Sequence, residues 1–182
     1  VASLVSAATE LFAERGPDGV SLREIAAHAG LNYGLIHQYV GSRDDLLRLV
    51  IARSTSTTAA RFALADDVGE ALELLMGPVG ADQPAYPRLL AWAILQGRDA
   101  RELAGPSPAL PQLIAMLPET GTGAVGADLA DDPRLRAAAV AALTLGWSLF
   151  GAFVSQAAGL EEVAPAEAHA AVQSLARRIA GI

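Results

Sequence analysis

The chain is predicted to be all-α, and three features carry that prediction. Apolar residues recur at spacings of three and four along most of its 182 residues, the composition is 52% hydrophobic with alanine dominant, and capping residues alternate with glycine and proline breaks between the periodic runs. Such a length can bury a full core, as one domain or as a small domain joined to a larger one.

Residues 1 to 15 are expected to form the first helix, with Leu4, Leu11 and Phe12 facing inward, and Gly16, Pro17, Asp18 and Gly19 to stop it. Ser21 with Glu24 is a capping box: hydroxyl and carboxylate satisfy the unpaired backbone N–H groups at a helix start. A helix therefore begins at Leu22, with Leu22, Ile25, Ala26 and Ala29 as its apolar face and Gly30 as its stop. Asn32 caps a second helix that buries Ile36 and Val40, with Leu31 packing at its start. Between two capped helices there is room for a turn of about three or four residues, which is a helix-turn-helix. Tyr33, Gly34, Leu35, His37, Gln38 and Tyr39 are left pointing outward. Ser42, with Asp44 and Asp45 in the first turn, starts a long helix from Arg43 to about Ala65, packed through Leu46, Leu47, Leu49 and Val50. Its STSTT run at 54 to 58 reads as a solvated or weakly helix-forming face.

Further helices are expected from Asp67 to Met76, ended by Gly77 and Pro78, and from Pro84 to about Leu103. After the GPSPALP break, ALPQLIAML makes a short helix, and ETGTGAVGA, which lacks the spacing of a phosphate loop, reads as a flexible connection. Two helices close the chain, from about Asp132 to Ala158 and from Pro165 to Ala180, with Asp131 or Asp132 capping the first and Pro133 at its opening position. Ala138, Ala142, Gly146 and Phe150 recur every four residues, and such a row of mostly small side chains lets another helix approach closely. Packing within one subunit and a four-helix bundle between two chains both satisfy that row.

The run AATELFAERGPDGVSLREIAAHAGLNYGLIHQYVGSRDDLL resembles the amino-terminal DNA-binding domain of TetR-family transcriptional regulators. Departures are His37 where the family commonly has tyrosine, Val40 where it has phenylalanine, and Arg43 where lysine is usual. The resemblance implies a helix-turn-helix DNA-binding domain over residues 1–47 and a helical effector-binding and dimerisation domain over 48–182. It also implies a homodimer on a palindromic operator, most simply a repressor released by a small molecule. Arg23 is the expected guanine contact, Tyr33, Leu35 and Gln38 would meet base edges or thymine methyls, and Gly34 would let the backbone come close. Ser21, His37, Tyr39 and Arg43 would meet phosphate. The dimer interface would include Ala138, Ala142, Gly146 and Phe153. An apolar effector would be lined by Phe62, Met76, Trp92, Met116, Trp147 and Phe150, with Gln96 and Arg98 as polar anchors; for each large side chain, plain core packing is the competing reading.

Net charge is −7, and residues 1 to 50 set Arg15, Arg23, Arg43 and Arg48 against Glu10, Glu14, Asp18, Glu24, Asp44 and Asp45, so the candidate DNA-binding region is not basic. All thirteen cationic side chains are arginine, a residue suited to phosphate and guanine. A chain starting at Val1 points to processing or truncation, and a preceding basic segment would alter the balance. Cysteine is absent, which excludes disulfides, thiolate metal sites and cysteine nucleophiles and agrees with a cytoplasmic location. His28, His37 and His169 are scattered, with no metal-ligand spacing and no nucleophile motif, so neither an enzyme, a metal nor a cofactor is expected. No apolar run is expected to reach the ~20 residues that span a bilayer. Two rival readings stay open: a regulator governed by a protein partner, and a helical ligand-binding protein whose helix-turn-helix has lost its DNA affinity.

Overall fold

The computed structural model describes residues 1–76, 85–99, 102–103, 109–118 and 129–182. The expected stretch ETGTGAVGA, the stop at Gly77 and Pro78, the start at Pro84 and most of GPSPALP lie outside the described residues. Within them the chain is all-α: α1 (Ala2–Arg15), α2 (Leu22–His28), α3 (Tyr33–Tyr39), α4 (Arg43–Phe62), α5 (Val68–Met76), α6 (Ala85–Leu95), α7 (Ala109–Met116), α8 (Pro133–Ala157) and α9 (Pro165–Ala180), with short 3-10 turns at Pro17–Gly19 and Leu129–Asp131. They form two compact units. The first holds α1 to α3, α4 as far as Thr57, and α6; the second holds the end of α4 from Thr58, α5, and α7 to α9.

The first unit is closed by large apolar side chains. Leu4 and Phe12 from α1, Ile25 from α2, Ile36 from α3, Leu46, Leu47, Val50 and Ile51 from α4, and Leu89 from α6 are almost wholly buried together. Each such side chain taken from water contributes roughly 1.5–3 kcal/mol before ordering costs. Two neighbours in sequence do not join them: Leu31 is 41% exposed and Leu49 is 38% exposed, because each falls on the solvent side of its turn or helix. The hydroxyls of Ser54, Thr55 and Thr57 donate to carbonyls one turn back, at 3.1, 2.9 and 2.9 Å, so this run stays helical and the buried Thr55 is satisfied.

The expected helix from Pro84 to Leu103 is shorter. Gly97 sits at φ 70, and the N–H groups of Gly97 and Arg98 turn back to the carbonyls of Ile94 and Ala93, each at 3.0 Å, which closes the helix. Arg98, expected as a ligand anchor, instead pairs with Asp44 of α4 at 2.8 Å and lies over the Trp92 ring.

The second unit packs smaller residues. Phe62, Leu72, Met76, Leu113 and Val140 share its core with Ala71, Ala137, Ala176 and Ala180. Val172, Ala176 and Ala180 repeat every four residues along α9, which lies against α8. His169 and Gln173 both donate to the carbonyl of Met76, the last of α5, and Arg177 pairs with Glu73, so α9 caps and clamps α5. The expected absence of a long apolar run is corrected by α8, whose 25 residues include an 18-residue window of mean hydropathy 1.8, of which only 17% is buried. By length and composition alone it could cross a membrane; here Ala137, Val140 and Gly151 are buried within the unit.

Candidate nucleic-acid interface

Residues 21 to 45 are shaped by their caps. The Ser21 backbone N–H and hydroxyl both donate to Glu24 Oε2 at 2.8 Å, and the Glu24 N–H donates to Ser21 Oγ at 3.2 Å. Arg15 reaches the other oxygen of the same carboxylate at 3.0 Å. These donors, the Ser21 backbone first, hold the Glu24 carboxyl down at about 2. At the far end of α2, Gly30 takes φ 67 and Leu31 N–H bonds back to Ala26 at 2.9 Å, which only a left-handed residue allows. Asn32 Oδ1 then accepts from Gly34 N–H at 2.9 Å and starts α3. A second box closes the recognition unit: Ser42 N–H and Oγ donate to Asp45 Oδ2 at 2.9 and 2.6 Å, while Asp45 N–H returns to Ser42 Oγ at 3.1 Å, and these Ser42 bonds hold the Asp45 carboxyl below its ordinary range.

The local acidity is largely absorbed. Asp18 faces Arg43 at 3.8 Å, Glu24 faces Arg15 at 3.0 Å, Asp44 faces Arg98 at 2.8 Å and Asp45 faces Arg48 at 2.8 Å. Glu10 reaches His28 Nε2 at 3.0 Å. Among the described residues, Arg23 is the one arginine between Arg15 and Arg48 without a carboxylate partner. It lies over the ring of Tyr33 with its guanidinium 5.2 Å from the centroid, joining α2 to the first residue of α3.

The expected contact residues are placed as follows. Tyr33 packs partly against the first core, whereas Tyr39 is 64% exposed. Gly34 is exposed, and a Cβ there would meet only Asn32 Oδ1 at 3.4 Å, so the fold does not demand glycine. The hydroxyl of Ser21 is already engaged with Glu24. Arg43 is partly exposed beside Asp18. The side chains of Leu35, His37 and Gln38 lie outside the described part of α3. Arg15 and Arg48, which tether carboxylates of the recognition unit, were signalled in sequence only as members of a mixed charge count.

The residues expected around an effector divide between the units. Trp92 packs against the core of the first, and Gln96, beyond the end of α6, is exposed. Phe62 and Met76 are buried in the second core, with Met116 and Trp147 packed against it. The Trp147 ring fits because residue 151 is glycine: a Cβ there would stand 3.2 Å from two ring atoms. Phe150, expected to face the interior, is 57% exposed, since it continues the row Ala138, Ala142, Gly146 along the outer face of α8, and Phe153 beyond it is 69% exposed. Among the described residues no cluster of His, Asp or Glu is arranged to hold a metal ion.

Residues 4–50 match the family described as bacterial regulatory proteins, tetR family. Over 178 residues the chain is 30% identical to the HTH-type transcriptional repressor Rv3405c of Mycobacterium tuberculosis, covering 98% of this chain and 87% of that protein. The chain belongs to the TetR family of transcriptional regulators. As a TetR-family member it is a DNA-binding regulator rather than an enzyme. Its fold agrees with the crystal structures of the transcriptional regulator SCO4942 from Streptomyces coelicolor (TM-score 0.70, 22% identity, 98% of this chain and 96% of that one) and of a TetR-family regulator from Rhodococcus sp. (TM-score 0.70, 17% identity, 97% and 96%).

Proposed function

We propose that this TetR-family regulator acts as a homodimer that lays α3 of each subunit in the major groove of a palindromic operator, represses transcription in the cytoplasm, and is released by a small apolar effector. The observation that carries the DNA reading is Arg23, a guanidinium without a carboxylate partner, stacked on Tyr33 at the leading end of α3. Arg23 reads guanine, Tyr33, Leu35 and Gln38 meet base edges, Gly34 lets the backbone approach, and Ser21, His37, Tyr39 and Arg43 position the phosphates. The name of the mycobacterial relative, a repressor, favours repression over activation.

Residues 1–47 carry the DNA contacts and 48–182 carry effector binding and dimerisation. The row Ala138, Ala142, Gly146, Phe150 and Phe153, exposed except at the half-buried Gly146, supports an α8 face that meets a second copy, because it is apolar throughout and small in its middle. Phe62, Met76, Met116 and Trp147, gathered in one core, are the better part of the expected effector set. Release is a population shift: an effector that prefers subunits with misaligned recognition helices lowers operator affinity by its differential affinity alone.

Selection of bound sequences from a random duplex pool, with the full-length protein, tests the reading. An inverted repeat with half-sites about one helical turn apart is expected. No enriched sequence would favour a ligand-binding protein without DNA affinity, and an enriched single half-site would remove the homodimer.

A further inference from the structure

In the second unit a hollow of about 430 Å³ opens between the first turns of α8, the last turn of α9 and the short turn at Leu129–Asp131. That volume lies within the range of small-molecule sites, and the depression is open to solvent on one side rather than enclosed. Its wall includes Leu135, Arg136, Ala139, Arg178 and Ile179, with Asp131 at the side. Arg136 is only 6% exposed. Its guanidinium donates through Nη2 to the carbonyl of Pro118, and its buried Nε meets no acceptor among the described residues.

This is an unusual place for a cation. Among the described residues, no carboxylate lies within 4.0 Å of Arg136 or of Arg178. Asp132 is taken by the neighbouring Arg134, and Asp131 has contacts of its own. Arg136 also stands in the first turn of α8, where the helix dipole has the same sign as its charge and so adds to the penalty. A buried charge persists at low cost only when paired, and among the described residues the Pro118 carbonyl is the one acceptor its side chain meets.

We propose that this hollow is a binding site for a small organic carboxylate with a short apolar chain. The carboxylate pairs with the Arg136 guanidinium, the chain lies along Leu135, Ala139 and Ile179, and Arg178 attracts the anion at the mouth. A guanidinium matches both carboxylate and phosphate in shape, but apolar walls cannot hydrate a phosphate dianion, so the carboxylate is the better occupant. The site is independent of operator binding and of an effector held in the core.

Isothermal titration of the full-length protein with hexanoate, hexanol and inorganic phosphate tests it. Hexanoate is expected to bind once per chain, with hexanol and phosphate at least about tenfold weaker, the scale of one lost charge-assisted contact. Arg136→Gln and Ala139→Leu should abolish the hexanoate heat, and Arg178→Gln should weaken it severalfold. Should Arg136→Gln fail to fold, the exposed Arg178→Gln and the hollow-filling Ala139→Leu decide the matter. No hexanoate binding, equal binding of hexanol or phosphate, or binding unchanged in Arg178→Gln and Ala139→Leu overturns the proposal.

Discussion

In the first unit Leu4, Phe12, Ile25 and Ile36 are each at most 2% exposed, while Tyr39, Ile94 and Leu95 stay outside at 64%, 55% and 85%. In the second, Ala137, Ala176 and Ala180 are wholly buried where α8 meets α9, while Phe150 and Phe153 stand outside at 57% and 69% exposure. Alanine contacts bring helices close but remove little apolar area, whereas each exposed aromatic withholds a large area from burial. The first unit therefore closes on a core of large side chains, and the second leaves exposed an apolar face that the proposed dimer would bury.

The sharpest way to break that comparison is a charge in the outer row of α8. A Cβ at Gly146 would meet nothing within 4 Å in the single chain, so Gly146→Glu should leave the subunit folded. In a dimer closed across this row the glutamate would be buried unpaired, at a cost of several kcal/mol. Sedimentation should show a dimer for the parent protein and a monomer for the variant; a monomeric parent would end the two-half-site picture.

Truncating aromatics in the two regions should give opposite signatures. Phe12→Ala opens a cavity in a packed core and is expected to lower folding stability by about 3–5 kcal/mol. Phe153→Ala removes a ring already in solvent, so monomer stability should change by no more than about 0.5 kcal/mol while association weakens. Urea unfolding at two protein concentrations separates them. Equal losses in both variants would mean that the exposure of Phe153 says nothing about association.

Arg23 gives a smaller effect confined to the first unit. Arg23→Ala should weaken operator binding by about 1–3 kcal/mol and relax preference at one base pair, while Arg43→Ala should weaken all sequences alike and reduce the salt slope by about one. Tight, unchanged operator binding by Arg23→Ala would move the guanine contact to another side chain.

What was legible in the sequence follows the range of the interaction. Ser21 with Glu24, Asn32, Ser42 with the acidic pair Asp44 and Asp45, and Asp131 or Asp132 before Pro133 act over two or three residues, so the helix starts are legible in spacing; the structure selects Asp45 and Asp132 as the partners. Apolar periodicity runs on to Leu103, yet α6 ends earlier, because the left-handed Gly97 and the returning N–H bonds of Gly97 and Arg98 outweigh periodicity. Spacing turns Tyr33 outward, whereas it packs partly inward, because three-dimensional neighbours decide a residue at the edge of a helix face. Phe150 shows the limit most clearly. Its row of small residues was visible, but an apolar side chain does not carry the information whether its partner belongs to its own chain or to a copy.

The smallest effect distinguishes the caps of the two units by what depresses them. Glu24 in the first and Asp132 in the second are both lowered to about 2, from ordinary values of 4.5 and 3.8. A depressed carboxyl contributes stability that is fully present above its unfolded value and is lost as pH falls through the folded one. Glu24→Gln and Asp132→Asn should therefore differ from the parent by a constant amount above about pH 4.5, a difference that shrinks and vanishes as pH drops to about 2. Salt should then separate them. The first cause for Glu24 is the neutral Ser21 backbone, and for Asp132 it is the Arg134 guanidinium, whose attraction ions screen. Raising ionic strength from about 0.1 to about 1 M, where the screening length falls from roughly 10 to 3 Å, should raise the Asp132 midpoint more than that of Glu24. Carbon-detected NMR titration of the two carboxyls measures both midpoints directly. If they move equally, the guanidinium is not what sets the second cap apart from the first.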